Sequence, residues 1–311
     1  MLPLRFLCLG LLVIFSVYSH ALTAKPIEEI LWLQSKTPPF HLDADASQSG
    51  LCDNLTEQLI ATIKDVKHTH LVLPQKRINK YVNEGKNVCF PCVIYKSNTN
   101  KAYTYSLPTA VYPEFSIITT TEKAPLLIKK HGNPINLISL FADESYTYGQ
   151  AQARKFTPHI NSIIENSLTH SNVSLTWSSD NESGVVIDRL RNNSIDYSLD
   201  YPFMATYFNQ QTQLNDIVSI PIAMATKTLI QGAIGCSTSA PNNFAKKAIS
   251  KINLALKSSI LSSSAYQKSQ RFWLNEHIEN FDAVYHHYVL NFDSQTNDAP
   301  ISTADQNKEQ H

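Results

Sequence analysis

Residues 51–95 have the sequence LCDNLTEQLIATIKDVKHTHLVLPQKRINKYVNEGKNVCFPCVIY, in which helix-like and strand-like patterns alternate. Apolar residues recur at a spacing of four in its first part, at Leu55, Leu59 and Ile63. This spacing places them on one face and predicts an amphipathic helix over residues 55–66. β-Branched and aromatic residues at the end of the stretch are typical of a strand.

More elements are predicted on both sides of this helix. Asp53 or Asn54 offers a side-chain oxygen to the free N–H groups of its first turn. Gly85 suits the end of the next helix. The predicted order is strand, helix, strand, helix, strand, at residues 30–33, 55–66, 70–73, 75–83 and 88–95. This βαβαβ order predicts an α/β fold with sheets flanked by helices.

A second unit of the same kind is predicted after Thr121. Its helices and strands alternate over residues 150–168, 173–177, 182–192 and 195–199. A further strand and two closing helices are predicted over residues 226–237, 242–261 and 265–280. Two α/β lobes are therefore expected. The polar residues 291–311 have almost no apolar periodicity and are expected to be a disordered tail.

Residues 1–21 have the features of an export signal. Arg5 gives a basic start, an apolar core follows over residues 6–18, and Ser19-His20-Ala21 is a small-x-small pattern. Cleavage is expected after Ala21. An uncleaved anchor is the alternative, but about a dozen apolar residues is short of the roughly 20 that span a bilayer. The bulky Leu7 argues against lipid attachment at Cys8.

The mature chain is expected to be soluble and large enough for two lobes, because no later apolar run approaches membrane-spanning length. Acidic and basic residues number 26 each, with no basic stripe for phosphates, so nucleic acid is not a predicted partner.

Four cysteines remain after cleavage, and an exported compartment favours their oxidation. One or two bridges are expected among three possible full pairings of Cys52, Cys89, Cys92 and Cys236. The Cys89-Phe90-Pro91-Cys92 pair also suggests redox chemistry. Redox pairs of that type open a helix, whereas strand-favouring sequence follows Cys92, so a structural role is the interpretation here.

Five short patterns in chain order make the chain similar to a known family. It resembles the periplasmic solute-binding proteins of family 3, with the type II fold, in the branch that captures polar amino acids. The patterns are Pro38-Pro39-Phe40, Gly50-Leu51-Cys52-Asp53, Ser106-Leu107-Pro108, Tyr148-Gly149 and Ile195-Asp196-Tyr197. Residues 195–202 and Gly235-Cys236-Ser237 resemble a divergent, poorly characterised subgroup.

The resemblance implies that lobe 2, residues 119–220, is inserted into lobe 1, residues 22–118 and 221–290. Two hinge crossings are expected near Thr119 and Ile220. The ligand cleft would lie at the carboxyl ends of the strands, where helices begin and offer unpaired N–H groups. Since lobe 1 would contain all four cysteines, a bridge from the Cys89–Cys92 pair to Cys52 or Cys236 is favoured.

In lobe 1 the resemblance implies that Phe40 stacks on the ligand; the alternative is that its ring covers the sheet edge. Asp53, expected at the same end of the sheet, is also a predicted ligand contact. Trp32 is predicted to be core. The arginine that holds a ligand carboxylate in these proteins is replaced by Thr99, and Lys101 could compensate as a point charge.

In lobe 2 the loop of residues 144–149 is expected to precede a helix, so Tyr146, Tyr148 and Gly149 are predicted ligand contacts. Asp200, or Tyr201 beside it, occupies the place of the carboxylate that holds a ligand amine. Arg154 is predicted to be on the surface.

No catalytic residue, cofactor or metal is predicted. His68, His70, His286 and His287 have no acidic or cysteine partner at ligand spacing. No nucleophile elbow, phosphate loop or zinc-protease helix occurs in the sequence.

The resemblance therefore implies a monomeric periplasmic protein of a Gram-negative cell that closes around a small polar solute, amino-acid-like or amine-containing. Its partner would be the permease of an ABC transporter or a membrane sensor. Two alternatives stay open. One is a divergent scaffold that has lost ligand binding, and the other is a dehydratase or lyase, which would need a general acid or base in the cleft.

Overall fold

The computed structural model describes residues 26–43, 46, 48–96, 102–152, 154–167, 173–176, 181–224 and 229–292. The predicted export signal, the chain beyond residue 292 and the candidate ligand residues Thr99 and Lys101 lie outside these ranges.

Helices and strands alternate in the first part of the chain, as predicted. The elements up to residue 112 are β1 (Glu29–Gln34), α1 (Leu51–Thr62), β2 (Lys67–Val72), α2 (Gln75–Asn83), β3 (Val88–Ile94), β4 (Tyr103–Tyr105) and β5 (Ala110–Tyr112).

The middle of the chain contains β6 (Ser116–Thr120), α3 (Ala124–His131), α4 (Leu137–Phe141), β7 (Tyr148–Ala151), α5 (Pro158–Ser167), β8 (Val173–Thr176), α6 (Glu182–Arg191), β9 (Tyr197–Asp200), α7 (Pro202–Thr212) and β10 (Ile217–Pro221). The last elements are β11 (Ile230–Ser237), α8 (Phe244–Ala255), α9 (Ser264–Leu274) and α10 (Phe281–Tyr285). Short π-helical turns extend α8 and α10, over Leu256–Ile260 and His286–Leu290.

The strands form two separate sheets. The first has the order β2-β1-β3-β11-β4, with β5 also paired to β11. Strands β1, β2 and β3 are parallel, and β11 runs antiparallel to its neighbours. The second has the order β10-β6-β9-β7-β8. We call the parts of the molecule built on these sheets lobe 1 and lobe 2.

The chain passes between the sheets twice. It leaves the first sheet after Tyr112 and returns to it at Ile230, so lobe 2 is inserted into lobe 1. Thr119 and Ile220, the predicted crossing positions, lie inside β6 and β10, which pair with each other antiparallel. The predicted fold class, two α/β lobes with sheets flanked by helices, is confirmed.

Helix α1 has the buried apolar face that its sequence spacing predicted. Its buried face includes Leu55 and Leu59, as expected from the spacing of four. The helix begins earlier than predicted, at Leu51, and Gly50 is its N-cap residue without a side-chain hydrogen bond. The predicted cap at Asp53 or Asn54 is therefore wrong, and the Asp53 side chain is used elsewhere.

The helix predicted over residues 150–168 is wrong in its first half. Strand β7 occupies residues 148–151 because it pairs in parallel with β8 and β9. The residue before a proline is biased away from the helical region, and α5 begins only at Pro158. The sequence did not indicate α3, α4, α7, α10, β4 or β5.

Trp32 is fully buried in β1, as predicted. Its indole N–H donates to Nδ1 of His68 at 3.0 Å, and His68 Nε2 lies 2.7 Å from the carbonyl of Ile63. This histidine therefore connects β1, β2 and the end of α1. No helix in the described part of the chain combines the length and the apolar character that crossing a bilayer requires.

Two disulfides connect the four cysteines, Cys52 to Cys92 and Cys89 to Cys236. Each joins one member of the Cys89–Cys92 pair to a distant cysteine. The predicted bridge from this pair to Cys52 or Cys236 is therefore confirmed. The first ties α1 to β3, and the second ties the neighbouring strands β3 and β11.

We expect peptide mapping without reduction to recover the Cys52–Cys92 and Cys89–Cys236 linkages. Because a disulfide restricts the unfolded chain, the double variant Cys89→Ser/Cys236→Ser should lose about 2–5 kcal/mol of unfolding free energy in urea denaturation. Recovery of a Cys89–Cys92 linkage would contradict this connectivity.

Candidate ligand-binding cleft

A cavity of about 280 Å³ lies between the two lobes. It lies where β1, β3, β7 and β9 end, because its lining includes the residues that follow these strands. Helices also begin there, since Gln75 and Glu182, the first residues of α2 and α6, line it. This is the end of a parallel sheet at which α/β proteins usually bind ligands.

Lobe 1 contributes mostly rings to this cavity. Phe40 comes from the loop after β1, Phe90 from β3, and Tyr103, Tyr105 and Tyr112 from the strands that follow. Burial raises the pKa of the Tyr112 phenol, so this hydroxyl stays protonated and can donate a hydrogen bond. Its oxygen has no partner among the residues that the structure describes.

The loop that carries Phe40 is held by the first turn of α1. The N–H of Leu51 donates to the carbonyl of Pro39 at 3.0 Å, and the N–H of Cys52 donates to the carbonyl of Phe40 at 2.8 Å. A Cβ at Gly50 would lie 2.5 Å from that Phe40 carbonyl, so the approach requires glycine. The N–H groups of Leu51 and Cys52 therefore position the loop.

The Phe40 ring is both part of the cavity wall and a contact between the lobes. Its centroid lies 5.5 Å from Tyr112 in lobe 1, and 5.8 and 5.5 Å from Tyr201 and Phe203 in lobe 2. Such ring pairs contribute about 0.5–1.5 kcal/mol beyond the area that they bury. Ligand stacking on Phe40 and contact with Tyr201 stay predictions, and both side chains line the cavity.

Arg154 lies in this cavity, and the prediction of a surface position is wrong. Its guanidinium forms an ion pair with Asp200, and each side chain is only 17% exposed. The guanidinium carbon lies 5.1 Å from the ring centroid of Tyr201 and 5.7 Å from that of Phe115. Arg154 is turned inward because residues 154–157 form an irregular segment instead of the predicted helix.

Asp200 is already occupied by protein groups. Besides Arg154, it accepts a hydrogen bond from the N–H of Tyr201 at 2.7 Å. Burial raises the pKa of its carboxyl, while the guanidinium and this N–H act in the opposite direction. In the structure this carboxylate holds Arg154, and the role predicted for it, holding a ligand amine, stays a prediction. The Nε of Arg154 is buried and has no partner within the described residues.

The candidate contacts at residues 144–149 lie outside the cavity. Tyr148 is fully buried in lobe 2, with its ring 4.7 Å from Phe141, and its hydroxyl donates to Gln150 at 2.5 Å. Gly149 is buried against Ile195, which a Cβ would meet at 2.7 Å. Tyr146 packs beside His131. They belong to a strand and its approach, so the expected helix N-terminus is wrong, and their ligand roles stay predictions.

A second cavity of about 610 Å³ adjoins the first, and Asp53 lines it. Asp53 lies 2.6 Å from Nδ1 of His41 and accepts a hydrogen bond from the N–H of Leu42 at 2.8 Å. Lobe 2 contributes Asn181 and Tyr207 to this cavity. The sequence did not indicate that His41 lies in the cleft, because only folding brings it to Asp53.

Two other titratable groups in the second cavity have shifted pKa values. Burial raises the pKa of Glu57, and the nearby Asp53 carboxylate adds to the rise, while a hydrogen bond with Ser49 opposes it. Burial and then His68 lower the pKa of His70. Among the described residues, no group of three or more histidines, cysteines and carboxylates could hold a metal ion.

Comparison with known proteins gives a match in structure and none in sequence. No family model and no curated protein matches the chain. A substrate-binding protein of an ABC uptake transporter from Streptococcus pneumoniae, solved with bound histidine, superposes with a TM-score of 0.59 at 14% identity, covering 81% of this chain and 94% of that one.

Two further solved structures have the same fold. An ancestral amino-acid-binding protein, a precursor of cyclohexadienyl dehydratase, has a TM-score of 0.59 at 14% identity, covering 79% of this chain and 95% of that one. The sensor domain of a histidine kinase has a TM-score of 0.57 at 11% identity, covering 80% of this chain and 96% of that one.

These likenesses identify the fold. The chain has the two-lobed fold of the periplasmic binding proteins, and the fold that the resemblance implied is confirmed.

The largely buried Arg154–Asp200 ion pair of lobe 2 can be tested by denaturation. Arg154→Met leaves the Asp200 carboxyl buried without its cation, which should lower the free energy of unfolding by about 3–5 kcal/mol. The double variant Arg154→Met/Asp200→Asn should regain a large part of that loss.

Arg271→Met is the matched control, because the Arg271–Asp282 pair is exposed, and such pairs contribute about 1 kcal/mol or less. Equal losses for Arg154→Met and Arg271→Met would contradict the assigned burial.

Proposed function

We propose that this protein is a solute-binding protein that captures a small polar, amino-acid-like solute in the cleft between its lobes. One observation carries the proposal. The cavity has rings from lobe 1 and a guanidinium from lobe 2, so a ligand would contact both lobes at once. A cavity with a few convergent polar groups among aromatic residues is typical of a site for a small molecule.

Arg154 would receive a carboxylate of the solute. Its Nε lacks a partner among the described residues, and an arginine offers paired N–H groups that match a carboxylate. Thr99 occupies the place of the arginine that the resembled proteins carry in lobe 1. The cation would therefore come from the opposite lobe, and Tyr112 would add a hydroxyl donor.

Closure would follow from this shared contact. A ligand shifts a two-state equilibrium only by its difference in affinity for the two states. Because the candidate contacts come from both lobes, they would all be made only when the lobes are together. The paired segments β6 and β10 lead into and out of lobe 2, where a hinge would act.

The closed form would be recognised by a membrane partner. The export signal predicted over residues 1–21 supports a periplasmic location for the cleaved chain, and a monomer stays our prediction. The structures with this fold include a binding protein of an uptake transporter and a sensor domain of a kinase. A transporter permease is the partner we propose, and a sensor would respond to the same closure.

One observation favours an enzyme as the second candidate. His41 and Asp53 form a pair in which the carboxylate would orient an imidazole at the cleft, as in general base catalysis. Turnover of a solute that also stabilises the protein would promote this candidate. The cavity and its unpaired polar atoms argue against a scaffold that binds nothing.

A thermal-shift screen against amino acids, amines, peptides, organic acids and sugars tests the proposal. A solute at one hundred times its dissociation constant adds about 2.7 kcal/mol, which should raise the Tm by a few degrees. Arg154→Lys keeps the charge beside Asp200 but loses the paired N–H groups, so affinity should fall roughly tenfold or more. Phe40→Ala should also weaken binding.

Arg271→Met is the control and should bind as the unmodified chain does. A folded protein that responds to no solute, or an unchanged affinity in Arg154→Lys, would contradict the proposed site.

A further inference from the structure

The cleft consists of two adjoining chambers. We call the cavity of about 280 Å³ the aromatic chamber and the cavity of about 610 Å³ the acidic chamber. Both are lined by Ser35, Lys36 and His41, so they meet at the loop after β1. Both also include residues of lobe 2. Their sizes lie in or near the range of roughly 300–1,000 Å³ for small-molecule sites.

The two chambers carry opposite charges. Apart from the shared Lys36, the aromatic chamber has three cationic side chains, Lys96, Arg154 and Lys155, and one carboxylate, Glu182. The acidic chamber has three carboxylates and no cation of its own among its described lining residues; they are Asp43, Asp53 and Glu57. Lys36 lies 3.5 Å from Asp43, where both side chains are exposed. The cleft is therefore polarised along its length.

Asp53 and the more exposed Glu57, two of the carboxylates of the acidic chamber, repel each other. Asp53 helps to raise the pKa of Glu57, which is also partly desolvated. A cationic ligand group in this chamber would relieve that repulsion and would favour ionised carboxylates.

His41 provides an independent sign of a ligand at the junction of the chambers. An ionised Asp53 can only accept hydrogen bonds, and it then accepts from the N–H of Leu42 and from a protonated Nδ1 of His41 at 2.6 Å. In the neutral ring, Nε2 is then an acceptor. The His41 side chain is only 7% exposed, and Nε2 has no partner among the described residues. It can accept a hydrogen bond from the middle of a bound molecule.

We propose that the solute is a short peptide of two or three residues with free ends. Its carboxylate binds Arg154, its C-terminal side chain contacts the rings of the aromatic chamber, and a peptide N–H donates to His41 Nε2. Its α-ammonium lies in the acidic chamber beside Glu57. This assignment rests on the proposed function and deepens it.

A free amino acid fits this arrangement less well. Its ammonium and carboxylate are attached to one carbon, so the two charges cannot occupy separate chambers. A peptide separates them, because each extended residue adds about 3.3–3.6 Å.

The test compares pooled dipeptides and tripeptides with the single amino acids by thermal shift, and then measures the best peptide by calorimetry. We expect the peptide to bind at least about thirtyfold more tightly than its own C-terminal amino acid. N-acetylation and C-amidation of that peptide should each weaken binding roughly tenfold or more, corresponding to about 1.4 kcal/mol.

Glu57→Gln should weaken binding of the free peptide severalfold and leave binding of the N-acetylated peptide unchanged, because only the free peptide has an ammonium. Glu165 is an exposed glutamate of α5 outside both chambers. Glu165→Gln is therefore the matched control and should change the affinity for neither peptide.

Two failures can be told apart. Single amino acids that bind as tightly as peptides, or N-acetylation without effect, would overturn the peptide assignment and leave solute binding intact. A folded protein that binds no amino acid, peptide or other solute of the screen would overturn the proposed function as well.

Discussion

The cleft depends on one constraint, which is the attachment of the loop that carries Phe40 to the first turn of α1. The N–H groups of Leu51 and Cys52 hold the carbonyls of Pro39 and Phe40, and Asp53 holds the N–H of Leu42 and the ring of His41. The Cys52–Cys92 disulfide ties the same turn to β3. Groups that usually stay free at a helix N-terminus are therefore used to shape a binding surface.

The charge arrangement of the cleft follows from a second constraint, the burial of Arg154 and Asp200. A buried ion pair adds little net stability, but removal of one partner strongly destabilises the fold. Here the carboxylate and the ring of Tyr201 hold a guanidinium at the cavity wall. Lobe 2 would supply the guanidinium, while the carboxylates lie on the lobe 1 side of the neighbouring chamber.

Local patterns predicted much of lobe 1 and less of lobe 2. Helix α2 has the predicted bounds, and the spacing of Leu55 and Leu59 located the buried face of α1. The error at residues 150–157 arose because β7 is a strand only through pairing with distant segments, which no local spacing records. Because a helix was expected there, Arg154 was assigned to the surface and Tyr148 to the cleft.

The sequence by itself determined the α/β class, the resemblance to two-lobed binding proteins, and the presence of Phe40, Asp53 and Tyr201 near the cleft. These features follow from apolar periodicity and from short motifs, which are local properties. Only the tertiary structure decided which cysteines pair, that Asp200 binds Arg154, and that His41 meets Asp53 between two chambers of opposite charge. Each of these contacts joins residues whose distance depends on how whole strands and helices pack, and so no local pattern specifies it.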